Sequence, residues 1–266
     1  MRVGFVGAGR MGAPMVRRLV EAGHQVHAVG RDAEKRDAVA ELGAIAVPTA
    51  AEAVRDAEVT IVCVFTDDQV RELCPELIEA MHPGSVLVLH TTGSPSTAEA
   101  LAQRGAARGV GVVDAPVSGG PHDIAAGTVT VFAGGDEDAV ARARSVLECY
   151  ADPVLHVGPI GSGERVKLVN NTLFAAQIGL VAEGVRLGGQ LGVDEATLLT
   201  ALTHGSAGSR ALSGIAATGS ADAFIARVGE FIGKDVAVVR RTVAELGSDL
   251  RPFDDLLEVT SGAAPH

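Results

Sequence analysis

The chain has 266 residues, 47% hydrophobic but only 3% aromatic, with no tryptophan and a formal charge of −11. That length accommodates one large α/β domain and a smaller second one, with cores packed from Ala, Val and Leu. The acidic balance argues against a nucleic-acid backbone or an anionic membrane as partner, although loops and helix ends can still take a small anion.

Arg2-Val3-Gly4-Phe5-Val6 reads as a short buried strand with no room before it for a signal peptide, and no apolar run approaches 18 residues. A cytoplasmic protein is expected. Cys63, Cys74 and Cys149 have no metal-ligand spacing, so no metal is expected. The strand runs straight into Gly7-Ala8-Gly9-Arg10-Met11-Gly12, a G-x-G-x-x-G, and helical periodicity follows with Pro14 in the first turn. Strand, glycine turn and helix in that order point to dinucleotide binding through Gly7, Gly9, Arg10, Met11 and Gly12, with a pyrophosphate at the helix N-terminus. The next strand, Gln25 to Val29, ends in Gly30-Arg31-Asp32. An acidic residue at that point would take the ribose 2′-OH of NAD, and an arginine the 2′-phosphate of NADP. Gly30 leaves space where the carboxylate would sit, Arg31 follows, and Asp32 reads as a helix cap, so NADP is preferred over NAD.

Strands are then expected over Glu58 to Phe65, Ser85 to His90, Gly111 to Asp114, Gly127 to Gly134 and Pro153 to Val157, alternating with helices. Segments just past strand ends line the crevice of an open α/β sheet, which makes Thr66, Asp67, Thr91 and Thr92 candidates by position. Ser118-Gly119-Gly120 offers backbone N–H groups and a hydroxyl suited to a carboxylate. From Gly161-Ser162-Gly163 a helix continues without proline to about Leu191. On it Gly163, Lys167 and Asn171, spaced i, i+4, i+8, share a face. A lysine against an apolar wall gives up its proton more readily than in water, as a general acid/base requires. Everything beyond Ser162 reads as helical, with a soft Ala/Gly-rich patch at Gly205 to Gly219 and a later helix at Lys234 to Leu246.

Four motifs therefore stand in order: Gly7 to Gly12; Asp114-Ala115-Pro116-Val117-Ser118-Gly119-Gly120; Gly161-Ser162-Gly163 with Lys167, Asn170 and Asn171; and Lys234-Asp235. Together they resemble the β-hydroxyacid dehydrogenases, which include 3-hydroxyisobutyrate dehydrogenase and, more distantly, 6-phosphogluconate dehydrogenase. The resemblance implies a Rossmann-type domain over residues 1–160 joined by a long helix to a helical substrate and dimerisation domain over 161–266. It further implies Lys167 as general acid/base and Asn171, with Asn170, holding substrate and lysine. Ser118, Gly119 and Gly120 would bind the substrate carboxylate, with Thr92 beside the nicotinamide and Lys234 on the cofactor side.

The expected reaction is hydride transfer between NADP(H) and a small anionic 2- or 3-hydroxy acid, or its semialdehyde or keto acid partner. An imine or promiscuous carbonyl reductase and a non-catalytic NADP-binding sensor are the rival readings. Pro121-His122-Asp123-Ile124 departs from the family's usual small residues, and the chain ends soon after Pro252 to Val259, before the family's usual last helix. His122 and Arg210 are further candidates for an anionic group. The small-residue helix surface at Gly179, Ala182, Gly184, Gly188 and Gly189 suggests close packing in a homodimer or higher homo-oligomer.

Overall fold

A computed structural model describes residues 1–260. Its first half alternates β1 (Arg2–Val6), α1 (Gly12–Glu21), β2 (Gln25–Val29), α2 (Ala33–Glu41), β3 (Ile45–Val47), α3 (Ala50–Val54), β4 (Val59–Val62), α4 (Asp67–Ala80), β5 (Val86–Leu89), α5 (Pro95–Ala106) and β6 (Gly111–Asp114). These six strands are parallel, in the order β3-β2-β1-β4-β5-β6. The order reverses between β1 and β4, and the loops after those two strands flank the crevice where such sheets take ligands. Burial on both faces explains the apolar strand sequences. Along β5, Val86 and Val88 join the core on one side of the sheet, and Leu87 and Leu89 the core on the other.

The sheet then extends through β7 (Val117–Ser118), α6 (Pro121–Ala126), β8 (Val129–Gly134), α7 (Glu137–Leu147) and β9 (Ala151–Gly158). Strand β8 runs antiparallel to β6 and β7 and parallel to β9. Two elements here lie outside the sequence expectation: the short β7, and α6, formed by the very segment that departs from the family pattern. His90, directly after β5, is 4% exposed and locks this end of the sheet. Burial pushes its imidazole down to about 4, so the ring is neutral in the fold. Its Nδ1–H donates to the Ala115 carbonyl at 2.5 Å, leaving Nε2 to accept from the Tyr150 hydroxyl at 2.8 Å.

Five helices follow among the described residues: α8 (Ser162–Gln190), α9 (Glu195–Thr203), α10 (Arg210–Thr218), α11 (Ala221–Glu245) and α12 (Pro252–Thr260). The chain forms two compact units, Met1–Lys167 and the part from Leu168 onward, and α8 runs through the boundary. The second unit has its own core of Ile178, Leu199, Leu212, Ile215, Phe224 and Val236. The Ala/Gly-rich patch contains α10, started by the Ser209 side chain accepting from Leu212 N–H and stopped by left-handed Gly219. Helix α11 starts well before the expected Lys234. Its first turn is held by Glu195, which accepts from Ala221 N–H at 2.8 Å. No helix among the described residues is long and apolar enough to cross a membrane.

Candidate active site

The glycine loop after β1 is shaped by close approach. Gly7 has φ of 101°, and a Cβ there would strike the Cys63 carbonyl. A Cβ on Gly12 would run into the Gly7 carbonyl and come within 2.8 Å of the Phe5 ring. At Gly9 a Cβ would meet nothing within 4 Å. The tight turn is therefore packed from below and open above. Helix α1 has no acidic residue in its first turn and no side-chain cap, so its initial N–H groups and positive dipole end are not offset locally. This is a cradle that fits a pyrophosphate. Arg10 is exposed beside it and Met11 half-buried.

At the end of β2 the structure corrects one detail. The space over Gly30 is not open, because a Cβ there would lie 2.7 Å from both the backbone nitrogen and Cγ of Arg36. Glycine is required by the packing of α2. Arg36 donates from Nη1 to the Gly30 carbonyl at 3.3 Å, which adds a second guanidinium near the exposed Arg31. Asp32 caps α2 by accepting from Lys35 N–H at 2.9 Å.

Past β4, Thr66 forms a capping box with Gln69, accepting from its N–H at 3.2 Å while the Gln69 amide oxygen accepts from Thr66 N–H at 3.1 Å. Past β5, the Thr91 hydroxyl donates to the Val64 carbonyl and accepts from Val64 N–H, tying the two loops together. Thr92 beside it is 9% exposed. The following residues are held by acids. Asp67 accepts from Ser94 N–H at 3.2 Å and from the Thr97 hydroxyl at 2.9 Å. Glu164, from the first turn of α8, accepts from Gly93 N–H at 3.0 Å.

The start of α8 is clamped to the sheet by Asp114 at the end of β6. Its carboxylate accepts from Gly161 N–H and Glu164 N–H, each at 2.7 Å. These two bonds satisfy N–H groups that a helix start otherwise leaves open. Burial pushes the Asp114 acid up to about 6 against the opposing pull of those N–H groups. Glu164 is driven well above the carboxylate range by burial, with the Gly93 N–H and the Lys167 charge pulling the other way. Gly163 is glycine because a Cβ would enter the Phe132 carbonyl and lie 2.7 Å from the Asp114 carbonyl oxygen. Lys167, one turn on, is only 9% exposed. A lysine so covered is not a solvated surface charge.

The Ser118-Gly119-Gly120 corner lies between β7 and α6, and its backbone donors are partly in use. Gly120 N–H donates to Asp123 Oδ2 at 2.7 Å. His122 and Arg210 are exposed. In the second unit, four residues of the third and fourth motifs form a polar chain. Asn170 Nδ2 donates to Asn171 Oδ1 at 3.2 Å, and Asn171 Nδ2 to Asp235 Oδ2 at 2.7 Å. Lys234 Nζ stands 3.6 Å from Asp235 Oδ1. The two motifs, 64 residues apart, thus meet through one amide–carboxylate bond.

Residues 2–158 match the model for the NAD binding domain of 6-phosphogluconate dehydrogenase, and residues 161–257 that for the NAD-binding of NADP-dependent 3-hydroxyisobutyrate dehydrogenase. The chain belongs to the β-hydroxyacid dehydrogenase family. It is accordingly an NAD(P)-dependent oxidoreductase acting on a CH–OH group. Among relatives of this β-hydroxyacid dehydrogenase is the NAD-dependent L-serine dehydrogenase of Pseudomonas aeruginosa, 33% identical over 79% of this chain and 72% of the relative. A probable 3-hydroxyisobutyrate dehydrogenase of Mycobacterium tuberculosis is 34% identical over 76% and 68%. The solved structure of Mycobacterium tuberculosis 3-hydroxyisobutyrate dehydrogenase with L-serine superposes with a TM-score of 0.88 at 28% identity, covering 97% of this chain and 92% of that one. Psf3 in complex with NADP+ and 2-OPP gives 0.79 at 26%, covering 98% and 100%.

Sequence reasoning passed over Asp114, Glu164 and Arg36 as parts of this dehydrogenase's site. Asp114 stood in the second motif without a role of its own, and Glu164 is, to local pattern, only an acid in a first helical turn.

Proposed function

We propose that this dehydrogenase interconverts a small hydroxy acid and its oxo partner, a semialdehyde or keto acid, with Lys167 as general acid/base and NADP(H) preferred over NAD(H). The Gly7–Gly12 cradle, with Arg10 and Met11, would hold the pyrophosphate. Arg31, with Arg36 nearby, would hold the 2′-phosphate, and Thr66, Thr92 and Lys234 the remainder of the cofactor. When bound, the nicotinamide supplies the carbon that gives or takes hydride. In reduction the Lys167 ammonium donates a proton from Nζ to the oxygen of the carbonyl as negative charge develops there, and in oxidation the neutral amine takes it back. Ser118, Gly119, Gly120, Asn170 and Asn171 would position the substrate, with Asp235 orienting the Asn171 amide.

The burial of Lys167, on a helix start clamped by Asp114, is the observation that carries this reading. A proton donor needs a fixed position and exclusion from bulk water. The reading also includes a homodimer and a cytoplasmic setting. Leu173, Leu180 and Leu187 of α8 are 45–55% exposed and spaced seven residues apart, which places them along one side of the helix, and the exposed Leu191 follows just past its end. This apolar stripe supports a contact between copies; Gly188 is turned toward Leu198 of α9, which a Cβ would strike, whereas a Cβ on Gly184 or Gly189 would meet nothing within 4 Å. The test of the chemistry is Lys167→Ala, assayed with NADPH against glyoxylate, succinic semialdehyde and neutral aldehydes. Loss of the donor lowers kcat by roughly 10²–10⁴-fold. Near-wild-type turnover in that variant sinks the assignment.

A further inference from the structure

The turn of α8 that leads to Lys167 also carries a buried acid that the hydride transfer leaves unused. Glu164 precedes Lys167 by three residues on the helix, a neighbouring position, and the charge of the lysine acts on it. Only 3% of Glu164 is exposed. Its Oε2 accepts from Gly93 N–H at 3.0 Å. Asp67 reaches the same stretch: its Oδ1 accepts from the next N–H, that of Ser94, and a Cβ on Gly93 would lie 3.1 Å from the Asp67 Cγ. Two carboxyl groups, from α4 and α8, thus converge on a glycine that has no side chain to hold them apart. Both line one small cavity of about 10 Å³, together with Thr91, Ser94 and Thr97. That is room for a single water among several polar partners. Asp67 Oδ2 in turn stands 2.8 Å from Nε of Arg71, whose side chain is 49% exposed. Lys167, Glu164, the cavity, Asp67 and Arg71 therefore form a line from a buried lysine to the surface.

The charged groups that face Glu164 are Lys167 on its own helix, Asp114 at the end of β6 and Asp67 on α4. Burial and the two carboxylates favour the neutral acid, against the Gly93 N–H and Lys167. An acid that keeps its proton beside a base that has just lost one is placed to return it. We propose that Glu164 acts through Lys167: once the lysine has given its proton to the substrate oxygen, Glu164 passes one to the neutral amine and is recharged from solvent by way of the cavity and Asp67. The O–H bond of Glu164 breaks as an N–H bond forms at Lys167 Nζ, which leaves a carboxylate beside an ammonium. A proton from water then restores the acid. The lysine regains its proton without water entering from the substrate side. Glu164 is a positioning residue in this scheme, and the inference rests on Lys167 being the proton donor.

Glu164→Gln keeps the shape and an oxygen for Gly93 N–H but has no acid proton to give. The assay is stopped-flow reduction with NADPH and whichever of glyoxylate and succinic semialdehyde the wild type reduces faster. It separates the first turnover, which uses the proton Lys167 already carries, from the later ones. In the variant the first turnover is expected within about twofold of wild type and the steady-state kcat about tenfold lower, with KM little changed. Imidazole, a small proton carrier, is expected to restore most of the lost kcat and to leave the wild type unaffected. Difference infrared spectra of wild type against Glu164→Gln at neutral pH are expected to show a protonated carboxyl stretch in the wild type only. A carboxylate signal there instead overturns the proposal, as does a steady-state rate in the variant equal to that of the wild type. First and later turnovers slowed alike, with no response to imidazole, reduce Glu164 to a support of the Gly93 loop and overturn it too. Should Glu164→Gln fail to fold, Asp67→Asn, which alters the same cavity, is expected to show the same fast first turnover and the same rescue, and their absence overturns the relay. Failure of the underlying reading looks different: no turnover by the wild type, or turnover that Lys167→Ala leaves intact, removes the lysine and the relay together.

Discussion

His90 gives the fold a pH dependence that can be worked out from its surroundings. The ring is neutral in the native protein because burial pushes its pKa from 6.5 down to about 4. Once unfolded, the same side chain titrates at its ordinary value. Between those two values the unfolded chain binds a proton that the native chain does not, so stability is present above pH 6.5 and is lost as pH falls toward 4. A displacement of about 2.5 units at 1.36 kcal/mol each amounts to about 3 kcal/mol. The substitution His90→Gln removes the titration while leaving a donor and an acceptor for Ala115 and Tyr150. Urea unfolding of both proteins, at pH steps from 7 to 4, isolates the contribution as the difference between their slopes. At pH 7 the variant should be less stable, by about 1–3 kcal/mol, from imperfect replacement of two buried hydrogen bonds. On acidification the gap should close or reverse, as the wild type loses about 3 kcal/mol that the variant retains. Parallel curves for the two proteins over that range would show that His90 does not stay neutral in the fold, and the bonding assigned to its two nitrogens would fall with it.

The loop carrying Thr92 depends on Asp67, and Asp67→Ala is expected to cost about 2–4 kcal/mol in urea, mostly because the Ser94 N–H and the Thr97 O–H lose the carboxylate to which both donate. Arg71, whose side chain is 49% exposed, adds little to that total. Because a Cβ on Gly93 would collide with Asp67 Oδ1, the double variant Gly93→Ala/Asp67→Ala should be less destabilised than the sum of the singles; strict additivity would disprove the contact. Arg31→Ala should lower kcat/KM for NADPH by roughly 10–100-fold with little change for NADH, as loss of one charge-assisted phosphate contact requires; an unaltered cofactor ratio removes Arg31 from the site. Leu180→Glu places a charge in the apolar stripe of α8 and should shift the protein from dimer to monomer mass in light scattering; a monomeric wild type, or a variant still dimeric, rules out that face.

What could be read from the sequence was what neighbours along the chain decide. The inner parallel strands β1, β4, β5 and β6 are legible because each is buried on two faces and so appears as an apolar run, and α8 because nothing interrupts its periodicity before Gln190, whereas the short edge strand β3, with Ile45 exposed, went unread. The Asp32 cap and the Gly7–Gly12 turn are local for the same reason. Where a segment is short or poor in bulky residues, periodicity carries little: β7 has two residues, α6 has six, and α10 lies inside an Ala/Gly-rich stretch marked only by Ser209 before it and Gly219 after it. The start of α11 was misplaced because its anchor is Glu195, 26 residues upstream. The site divides along the same line. Lys167, Asn171 and the glycine corners are identified by spacing within motifs, whereas the groups that hold them are remote: Asp114 reaches Gly161 across 47 residues, and Glu164 reaches Gly93 across 71. Those contacts exist only once the sheet has brought β5, β6 and the start of α8 together, so no local pattern encodes them. The residue types of the candidate site therefore come from the chain, but its rigidity, and the burial of Lys167, come from the fold. Asp123 is the exception. Three residues from Gly120, it is local enough to be read, and it was noticed only as a departure from the family pattern. What the structure adds is that its carboxylate turns back to take the Gly120 N–H at the start of α6.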